Sequence, residues 1–219
     1  MATTGGKQKQ GDHAMIYEVR TYRLKPGTLN EVIKRFGDAY EHRKKYSELA
    51  AFFYTEIGPL NEITHIWPYE SLAHRAEVRA KAAENPNWPP DISEFQYQMQ
   101  SEIFVPFPFT PEFAPGKWGP VFEWRSYSMT PGAMGGTIER WGKAIGKRTE
   151  LSPVLMAMHT DLGPLNKFVH IWPYESLEHR REVRGKAQAE KIWPPPGGQG
   201  SLVTQDNKIM FAAPFSPIQ

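Results

Sequence analysis

The sequence contains no cysteine, which excludes disulfide bonds, zinc–thiolate sites and cysteine nucleophiles. It lacks any apolar run as long as a transmembrane helix, and no signal-peptide hydrophobic region follows its start. Charge of one sign is also scarce, because the formal net charge is +2 and no basic run exceeds Arg43-Lys44-Lys45. We therefore predict no nucleic-acid partner and no membrane span, and we expect a cytoplasmic location.

The main positive feature is an internal repeat. Residues 58–82 read GPLNEITHIWPYESLAHRAEVRAKA, and 105 positions later residues 163–187 read GPLNKFVHIWPYESLEHRREVRGKA. Of these 25 aligned positions, 19 are identical without a gap. The offset becomes 106 at the motifs PFTP (108–111) and PFSP (214–217), so one residue was gained or lost after Trp88 and Trp193. Two copies of this length predict a duplicated domain.

Composition sets the predicted domain boundaries. Residues 1–14 are polar and contain glycine, which predicts a disordered leader. Residues 15–111 form the first predicted domain and residues 121–219 the second. Residues 112–120, with prolines and glycines between the two copies, are predicted to be a linker.

Each copy is predicted to follow the order βαββαβ. Alternating apolar residues and turn signals favour strands at 16–24, 49–57, 63–69 and about 101–105, with helices at 29–45 and 72–83. The second copy repeats this order from 121 to 211. Thr28 and Glu31 fit a capping box for the first helix, and Ser71 fits the N-cap of the second.

A βαββαβ unit is the ferredoxin-like arrangement, so the predicted fold class is α+β with two tandem ferredoxin-like halves. A right-handed crossover predicts that the first and third strands of each half are parallel neighbours. Two helices cover one face of each sheet, and the bare faces need a partner. We therefore predict that the two sheets face each other in an intramolecular α+β barrel around an inter-sheet cavity.

Residues two apart on a strand share a face. Tyr17, Val19 and their mostly apolar neighbours suit the helices, so we expect the opposite face to line the cavity. That face carries Glu18, Arg20, Tyr22, Tyr54, Glu56, His65, Trp67 and Tyr69 in the first half, and Glu123, Arg125, Tyr127, His159, Asp161, His170, Trp172 and Tyr174 in the second. Buried charge is costly unless paired, so this lining favours a ligand site. The structural alternative is that Glu18–Arg20 and Glu123–Arg125 are buried ion pairs bonded to the histidines.

The motifs IYEVRTYRLKPG, TEIGPLNEITHIWPYESLAHRAEVR and FVPFPFTP resemble the NIPSNAP domain, and both copies match. The resemblance implies the dimeric α+β barrel superfamily, whose members include cofactor-free monooxygenases, isomerases, cyclases, dehydratases and haem-binding proteins with the site inside the barrel. Eukaryotic NIPSNAP relatives are described as mitochondrial proteins linked to mitophagy signalling and vesicle traffic. The resemblance therefore also implies a non-catalytic interaction or signalling scaffold as an alternative. Fold alone does not choose between these functions.

The leading hypothesis is binding or transformation of a small molecule by acid–base residues. A histidine beside a glutamate and a tyrosine can move a proton near neutral pH, and an arginine can hold an oxyanion. The catalytic candidates are His170, Glu123, Arg125 and Tyr127, or their counterparts His65, Glu18, Arg20 and Tyr22. The ligand-binding candidates are Trp67, Trp172, Tyr69, Tyr174, Tyr54 and Glu56.

A second hypothesis is a single divalent metal held by His159, Asp161 and His170, since two histidines and a carboxylate suit iron and similar ions. Haem on His170 or His65 has only the superfamily analogy behind it, so the leading expectation is that no cofactor is needed. We also expect further self-association into a homo-oligomer.

Three other repeated features are given structural interpretations. Arg75 and Arg79 lie four residues apart on a helix near glutamates, so we expect a solvated face. Gly37 and its counterpart Gly142 lie within helices, where glycine costs about 1 kcal/mol, which indicates close packing. The repeated Trp-Pro-Pro loops at 88–90 and 193–195 are predicted to fold onto the barrel mouth, with a lid role for the second.

Overall fold

The computed structural model describes residues 15–219, so the leader predicted at residues 1–14 lies outside the described residues. The first half contains β1 (Ile16–Leu24), α1 (Leu29–Arg43), β2 (Ala51–Ile57), β3 (Glu62–Tyr69), α2 (Leu72–Ala83) and β4 (Gln96–Pro106). The second half contains β5 (Val121–Met129), α3 (Met134–Thr149), β6 (Met156–Leu162), β7 (Lys167–Tyr174), α4 (Leu177–Ala189) and β8 (Leu202–Ala212). The predicted βαββαβ order is therefore confirmed in both halves, although β4 and β8 are longer than predicted.

The eight strands form one closed barrel in the order β1-β3-β2-β8-β5-β7-β6-β4. All the named pairings are antiparallel, so the prediction that β1 and β3 are parallel neighbours was right about their adjacency and wrong about their direction. The reason is that β1 and β2 are the parallel strands joined by the α1 crossover, and β3 returns between them as a hairpin with β2. The seams between halves are β2–β8 and β4–β6. The predicted intramolecular α+β barrel is confirmed.

The barrel interior is an apolar core built from both halves. Tyr17, Val19 and Ile66 of the first half belong to the same buried cluster as Phe122 and Val169 of the second. An eight-stranded barrel is just wide enough for side chains to fill it. The space between the sheets is therefore a packed core. The prediction that it forms a ligand-binding cavity lined by polar residues was wrong.

The segment after the last strand of each half packs against a helix of the other half. Phe215, just after β8, packs beside Gly37 of α1, with its Cδ1 atom 3.0 Å from the ideal Cβ position of that glycine. Phe109, just after β4, packs beside Gly142 of α3 at 3.6 Å. Gly37 thus makes room for an aromatic ring from the opposite half, whereas at Gly142 a methyl group would meet the ring at an ordinary contact distance, so close packing explains glycine only at position 37.

The helix starts follow the sequence signals only in part. Ser71 caps α2 by accepting a hydrogen bond from the backbone N–H of His74 at 3.1 Å. Thr28 occupies the N-cap position of α1 but makes no side-chain cap. Its hydroxyl donates to the Lys25 carbonyl oxygen, and Glu31 bonds Arg35 instead, so the predicted capping box is not formed. Over residues 15–219, none of the helices has the length and apolar character needed to cross a membrane.

Candidate functional site

The polar face of each sheet lies beneath the helices. Trp67 and Tyr69 of β3 pack with Phe36 of α1 and Val78 of α2 in one buried cluster. The polar face that was predicted to line the inter-sheet cavity therefore lies on the other side of the sheet, towards the helices. The physical reason is that the barrel interior requires apolar side chains, whereas the helices bring charged groups of their own to the polar face.

Glu18 is the centre of the first-half charge cluster and has no exposed surface. Its carboxylate accepts from Arg20 at 2.8 Å, from Arg75 of α2 at 2.7 Å and from Ser101 of β4 at 2.8 Å, with Arg79 at 3.4 Å. Burial alone would raise the pKa of Glu18, but the Arg75 hydrogen bond and the other partners outweigh it and lower that pKa to about 2. Arg75 therefore does not belong to a solvated face, although the Arg79 side chain is still 41% exposed.

Glu123 repeats this arrangement in the second half. Arg125 donates to its Oε1 atom at 2.8 Å, Arg180 of α4 donates to the same oxygen, and Arg184 lies 3.5 Å from Oε2. Burial opposes ionisation of Glu123, but these guanidinium groups lower its pKa overall. The structural alternative of buried ion pairs is therefore observed, with helix arginines rather than histidines as the additional partners.

His65 and His170 have a fixed hydrogen-bonding state. The indole N–H of Trp67 donates to Nδ1 of His65 at 2.7 Å, and the indole N–H of Trp172 donates to Nδ1 of His170 at 2.5 Å. Because an indole can only donate, each Nδ1 is unprotonated and the proton of the neutral ring is on Nε2. Both Nε2 atoms are buried and lack a hydrogen-bond partner among residues 15–219.

Burial and surrounding arginines keep both imidazoles neutral. Desolvation, followed by the charge of Arg20, lowers the pKa of His65 to about 3. Desolvation and the charge of Arg125 lower the pKa of His170 well below its ordinary value. Each histidine therefore presents a neutral N–H donor rather than a group that titrates near pH 7.

Each half also buries an arginine without a carboxylate partner in the described part of the chain. Arg148 of α3 is 2% exposed, donates to Tyr174 Oη at 3.2 Å and to Ser152 Oγ at 3.0 Å, and lies over the Trp172 ring with its Cζ atom 4.1 Å from the centroid. Arg43 makes the equivalent contacts in the first half. Burial lowers the pKa of both guanidinium groups, which shows how costly these buried charges are.

Two cavities lie between the helices and the sheet, one in each half. The first-half cavity measures about 320 Å³ and includes Arg20, Arg43, His65 and Arg79 in its lining. The second-half cavity measures about 540 Å³. Its cationic lining consists of Arg125, Arg140, Arg148, Arg180, Arg181 and Arg184. None of the described lining residues of either cavity is acidic, so both attract negative charge.

Some of the predicted site residues line these two cavities, and others lie elsewhere in the structure. The lining includes Arg20, Tyr22, His65, Trp67 and Tyr69 in the first half, and Arg125, Tyr127, His170 and Trp172 in the second. Glu18 and Glu123 lie beneath the cavities as counter-ions. Tyr54 packs its ring against Phe211 at 5.9 Å, and Glu56 is exposed.

The predicted metal ligands do not come together. His159 pairs across the β6–β7 ladder with Phe168 rather than with His170, and Asp161 is exposed. Within residues 15–219, no three histidine or acidic side chains are grouped as a metal site would require. His159, Asp161 and His170 therefore do not fit a shared metal ion.

Sequence reasoning missed part of the helical half of the site. Arg148 and Trp141 lie on α3, and their helical spacing gave no sign that they lean over a polar sheet face. Trp193 was predicted at the barrel mouth, but its ring lies 4.5 Å from the Trp141 ring and lines the second-half cavity. The available signal was the repeat itself, because Arg43/Arg148 and Arg79/Arg184 occur in both copies.

Comparisons with known proteins agree with the motifs. The NIPSNAP family model matches residues 17–111 and 122–217. Protein NipSnap homolog 3B of Homo sapiens is 31% identical over 226 residues, which cover 99% of this chain and 90% of the relative. A NIPSNAP family protein of unknown function from Agrobacterium tumefaciens is 40% identical, with a TM-score of 0.44, over 46% of this chain and 96% of its own. A proposed monooxygenase from Lactobacillus acidophilus has a TM-score of 0.68 and 9% identity over 91% of this chain and 94% of its own, which shows likeness of fold alone.

Proposed function

The chain belongs to the NIPSNAP family, and we propose that its second-half cavity binds a small organic anion and stabilises negative charge on one of its oxygens. The observation that carries this proposal is Arg148, a buried guanidinium with no carboxylate partner in residues 15–219. A buried charge that lacks a counter-ion is destabilising. An anionic ligand in the cavity would supply the missing charge.

The hydrogen-bonding state of His170 supports the same ligand class. Its Nε2–H group is a buried donor without a partner among the described residues, and a ligand oxygen would accept from it. Arg125 lies beside it with its Nε atom bonded to Tyr127 Oη. Donors that are already fixed in position stabilise an oxyanion, because they need little reorganisation when charge develops.

Charge stabilisation fits this cavity better than proton abstraction. Glu123 is fully buried and bound by three arginines, and its lowered pKa makes it a weak base. His170 accepts a hydrogen bond at Nδ1, so that nitrogen is also occupied. We therefore favour a reaction in which the substrate binds already ionised, as an enolate, phenolate or carboxylate.

A non-catalytic interaction role is the second candidate. Leu60 and Leu165, at equivalent turns of the two halves, are 65% and 82% exposed. A partner protein that covers both turns would bury these two apolar side chains. In this case the cavities are structural features, and substitution at Leu60 and Leu165 rather than at His170 would abolish function.

The test is a titration of the full chain with benzoate and with biphenyl-4-carboxylate. Binding is measured by the change in tryptophan fluorescence, because Trp141, Trp172 and Trp193 line the cavity. His170→Phe keeps an aromatic ring and removes the N–H donor. Loss of one hydrogen bond to a charged group costs about 1.5–3 kcal/mol, so binding should weaken roughly 10- to 100-fold. His65→Phe is the matched control and should change affinity much less. Absence of binding, or equal effects of the two substitutions, would contradict the proposal.

A further inference from the structure

The two halves keep one arginine at the same helical position but give it different partners. Arg35 of α1 is neutralised in the first half. Its Nε atom donates to Glu31 Oε1 at 2.8 Å, and its Nη1 atom donates to Glu94 Oε1 at 3.2 Å and to the Asp91 carbonyl oxygen at 2.7 Å. The counterpart of Arg35 in α3 is Arg140, 105 positions later.

In the second half, glycine replaces each of these three partners. Glu31 corresponds to Gly136 at the 105-residue offset. Beyond the Trp-Pro-Pro loop the offset is 106, because the bond from Lys25 N–H to Phe95 O is matched by the bond from Thr130 N–H to Ser201 O. Asp91 and Glu94 therefore correspond to Gly197 and Gly200. The carboxylates that neutralise Arg35 have no equivalent around Arg140.

Arg140 is left facing the cavity. Its Nη2 atom donates to Thr137 Oγ1 at 2.9 Å, and no carboxylate of residues 15–219 lies within ion-pair distance of it. Its Nε and Nη2 atoms lie 3.7 Å from the ideal Cβ position of Gly198, so the glycine-containing loop packs closely against the guanidinium. Arg140 is part of the lining of the larger cavity, whereas Arg35 does not line the smaller one.

Three further substitutions between the halves add polar groups to the cavity lining, whereas Leu202 in place of Gln96 removes one. Val32, Ala83 and Met99 of the first half correspond to Thr137, Gln188 and Gln205 of the second. These three polar residues line the second-half cavity, which is also larger by about 220 Å³, from 540 and 320 Å³. The second-half cavity therefore has more polar groups than the first-half cavity, and one more cation without a carboxylate partner, Arg140. Arg140 lies two helical turns before Arg148 on α3.

We propose that the ligand of the second-half cavity carries two anionic groups on one apolar body, and that Arg140 binds the second group. This inference rests on the proposed function, in which His170, Arg125 and Arg148 hold the first group. A dicarboxylate with a planar hydrocarbon body fits, since Trp141, Trp172 and Trp193 line the same space.

The experiment compares each diacid with its own monoacid. Terephthalate is paired with benzoate, and biphenyl-4,4′-dicarboxylate with biphenyl-4-carboxylate, in calorimetric titrations of the full chain. A second ion pair to arginine should make at least one diacid about tenfold tighter than its monoacid. Gly136→Glu restores the (i, i+4) partner that Arg35 has in Glu31, and it should reduce the diacid-to-monoacid ratio to about one. Because glutamate favours a helix more than glycine does, this variant should not lower the melting temperature.

Two further variants complete the design. Arg140→Gln should reduce the ratio as Gly136→Glu does, whereas Arg35→Gln, at the equivalent position of the first half, should leave it unchanged. If neither diacid binds more tightly than its monoacid in the wild-type protein, or if Gly136→Glu leaves the ratio intact, the inference about Arg140 is wrong while the proposed function stands. If none of the four acids binds at all, the proposed function fails and the inference fails with it.

Discussion

The Nδ1 atom of His170 accepts a hydrogen bond from the indole N–H of Trp172 at 2.5 Å, two residues further along β7. The same relationship joins His65 and Trp67 at 2.7 Å on β3. In each half the tryptophan fixes one tautomer and leaves Nε2–H as a buried donor. The histidines of this fold are thereby suited to binding an oxygen acceptor, and their lowered pKa values give a first prediction.

Stability should fall as the pH drops below about 6.5, because the two histidines are neutral in the folded state. A histidine in the unfolded chain has a pKa near 6.5, whereas burial lowers the pKa of folded His65 to about 3. Between these values the unfolded state holds more protons, so acid favours unfolding. Each such histidine contributes a slope of about 1.4 kcal/mol per pH unit below its unfolded pKa.

Urea unfolding at pH 7, 6 and 5 measures this slope. His65→Phe should reduce it by about one proton relative to the wild-type chain. The carboxylate of Glu18 does not interfere in this range. Its folded pKa of about 2 lies below the ordinary value of 4.5, so its contribution is lost only as the pH falls from about 4.5 towards 2. An unchanged slope in the variant would show that folded His65 is protonated.

The two halves carry opposite charges at two equivalent positions of the barrel seams. Glu62 accepts from Lys208 at 2.7 Å, and Glu102 accepts from Lys167 at 2.8 Å. Glu62 corresponds to Lys167 and Glu102 to Lys208, so the first half supplies both acids and the second half both bases. Each half is thus complementary to the other and would repel a copy of itself.

Reversing one charge should destabilise the barrel, and reversing its partner should restore it. Glu102→Lys places two cations together at a nearly buried position, and breaking such a pair costs about 3–5 kcal/mol. Glu102→Lys with Lys167→Glu should recover most of that loss. A double-mutant cycle by urea unfolding gives the coupling between the two residues, and a coupling near zero would contradict the role assigned to this pair.

Gly37→Ala and Gly142→Ala form a matched pair that tests how the segment after the last strand of each half packs on the opposite half. Alanine stabilises a helix interior by about 1 kcal/mol relative to glycine. At Gly142 the new methyl group would lie at an ordinary distance of 3.6 Å from Phe109, so stabilisation is expected. At Gly37 it would lie 3.0 Å from Phe215, so the gain should be cancelled or reversed. Equal stabilisation in both variants would show that Phe215 does not occupy this position.

The order of strands and helices could be predicted from the sequence, because turn and periodicity signals are local and the repeat shows each of them twice. It could group Glu18, Arg20 and His65 on one face, since period two depends only on the strand. It could not decide which layer that face meets, because the answer depends on Arg75 and Arg79 reaching from α2. The sequence analysis assigned the apolar face of each sheet to the helices. In the structure that face forms the packed barrel interior.

The second-half site was least accessible to sequence reasoning. The alignment of the two copies shows that Gly135-Gly136 stand in place of Asn30-Glu31, so the second copy lacks the glutamate of the predicted capping box. The consequence, an arginine without its carboxylates, emerges only when Glu31 and Glu94 are seen to meet at Arg35. Residues 63 positions apart in the chain cannot be assigned to one guanidinium without the fold.

The central claim is that the ligand lies between the helices and the sheet of the second half and not inside the barrel. The most direct measurement is a crystal structure of the full chain with 4-bromobenzoate, in which anomalous scattering locates the bromine atom. The account predicts bromine among Trp141, Trp172 and Trp193, with the carboxylate at His170 Nε2 and Arg148. Bromine within the barrel interior beside Phe53 and Phe122, or no ordered bromine in the second-half cavity, would contradict it.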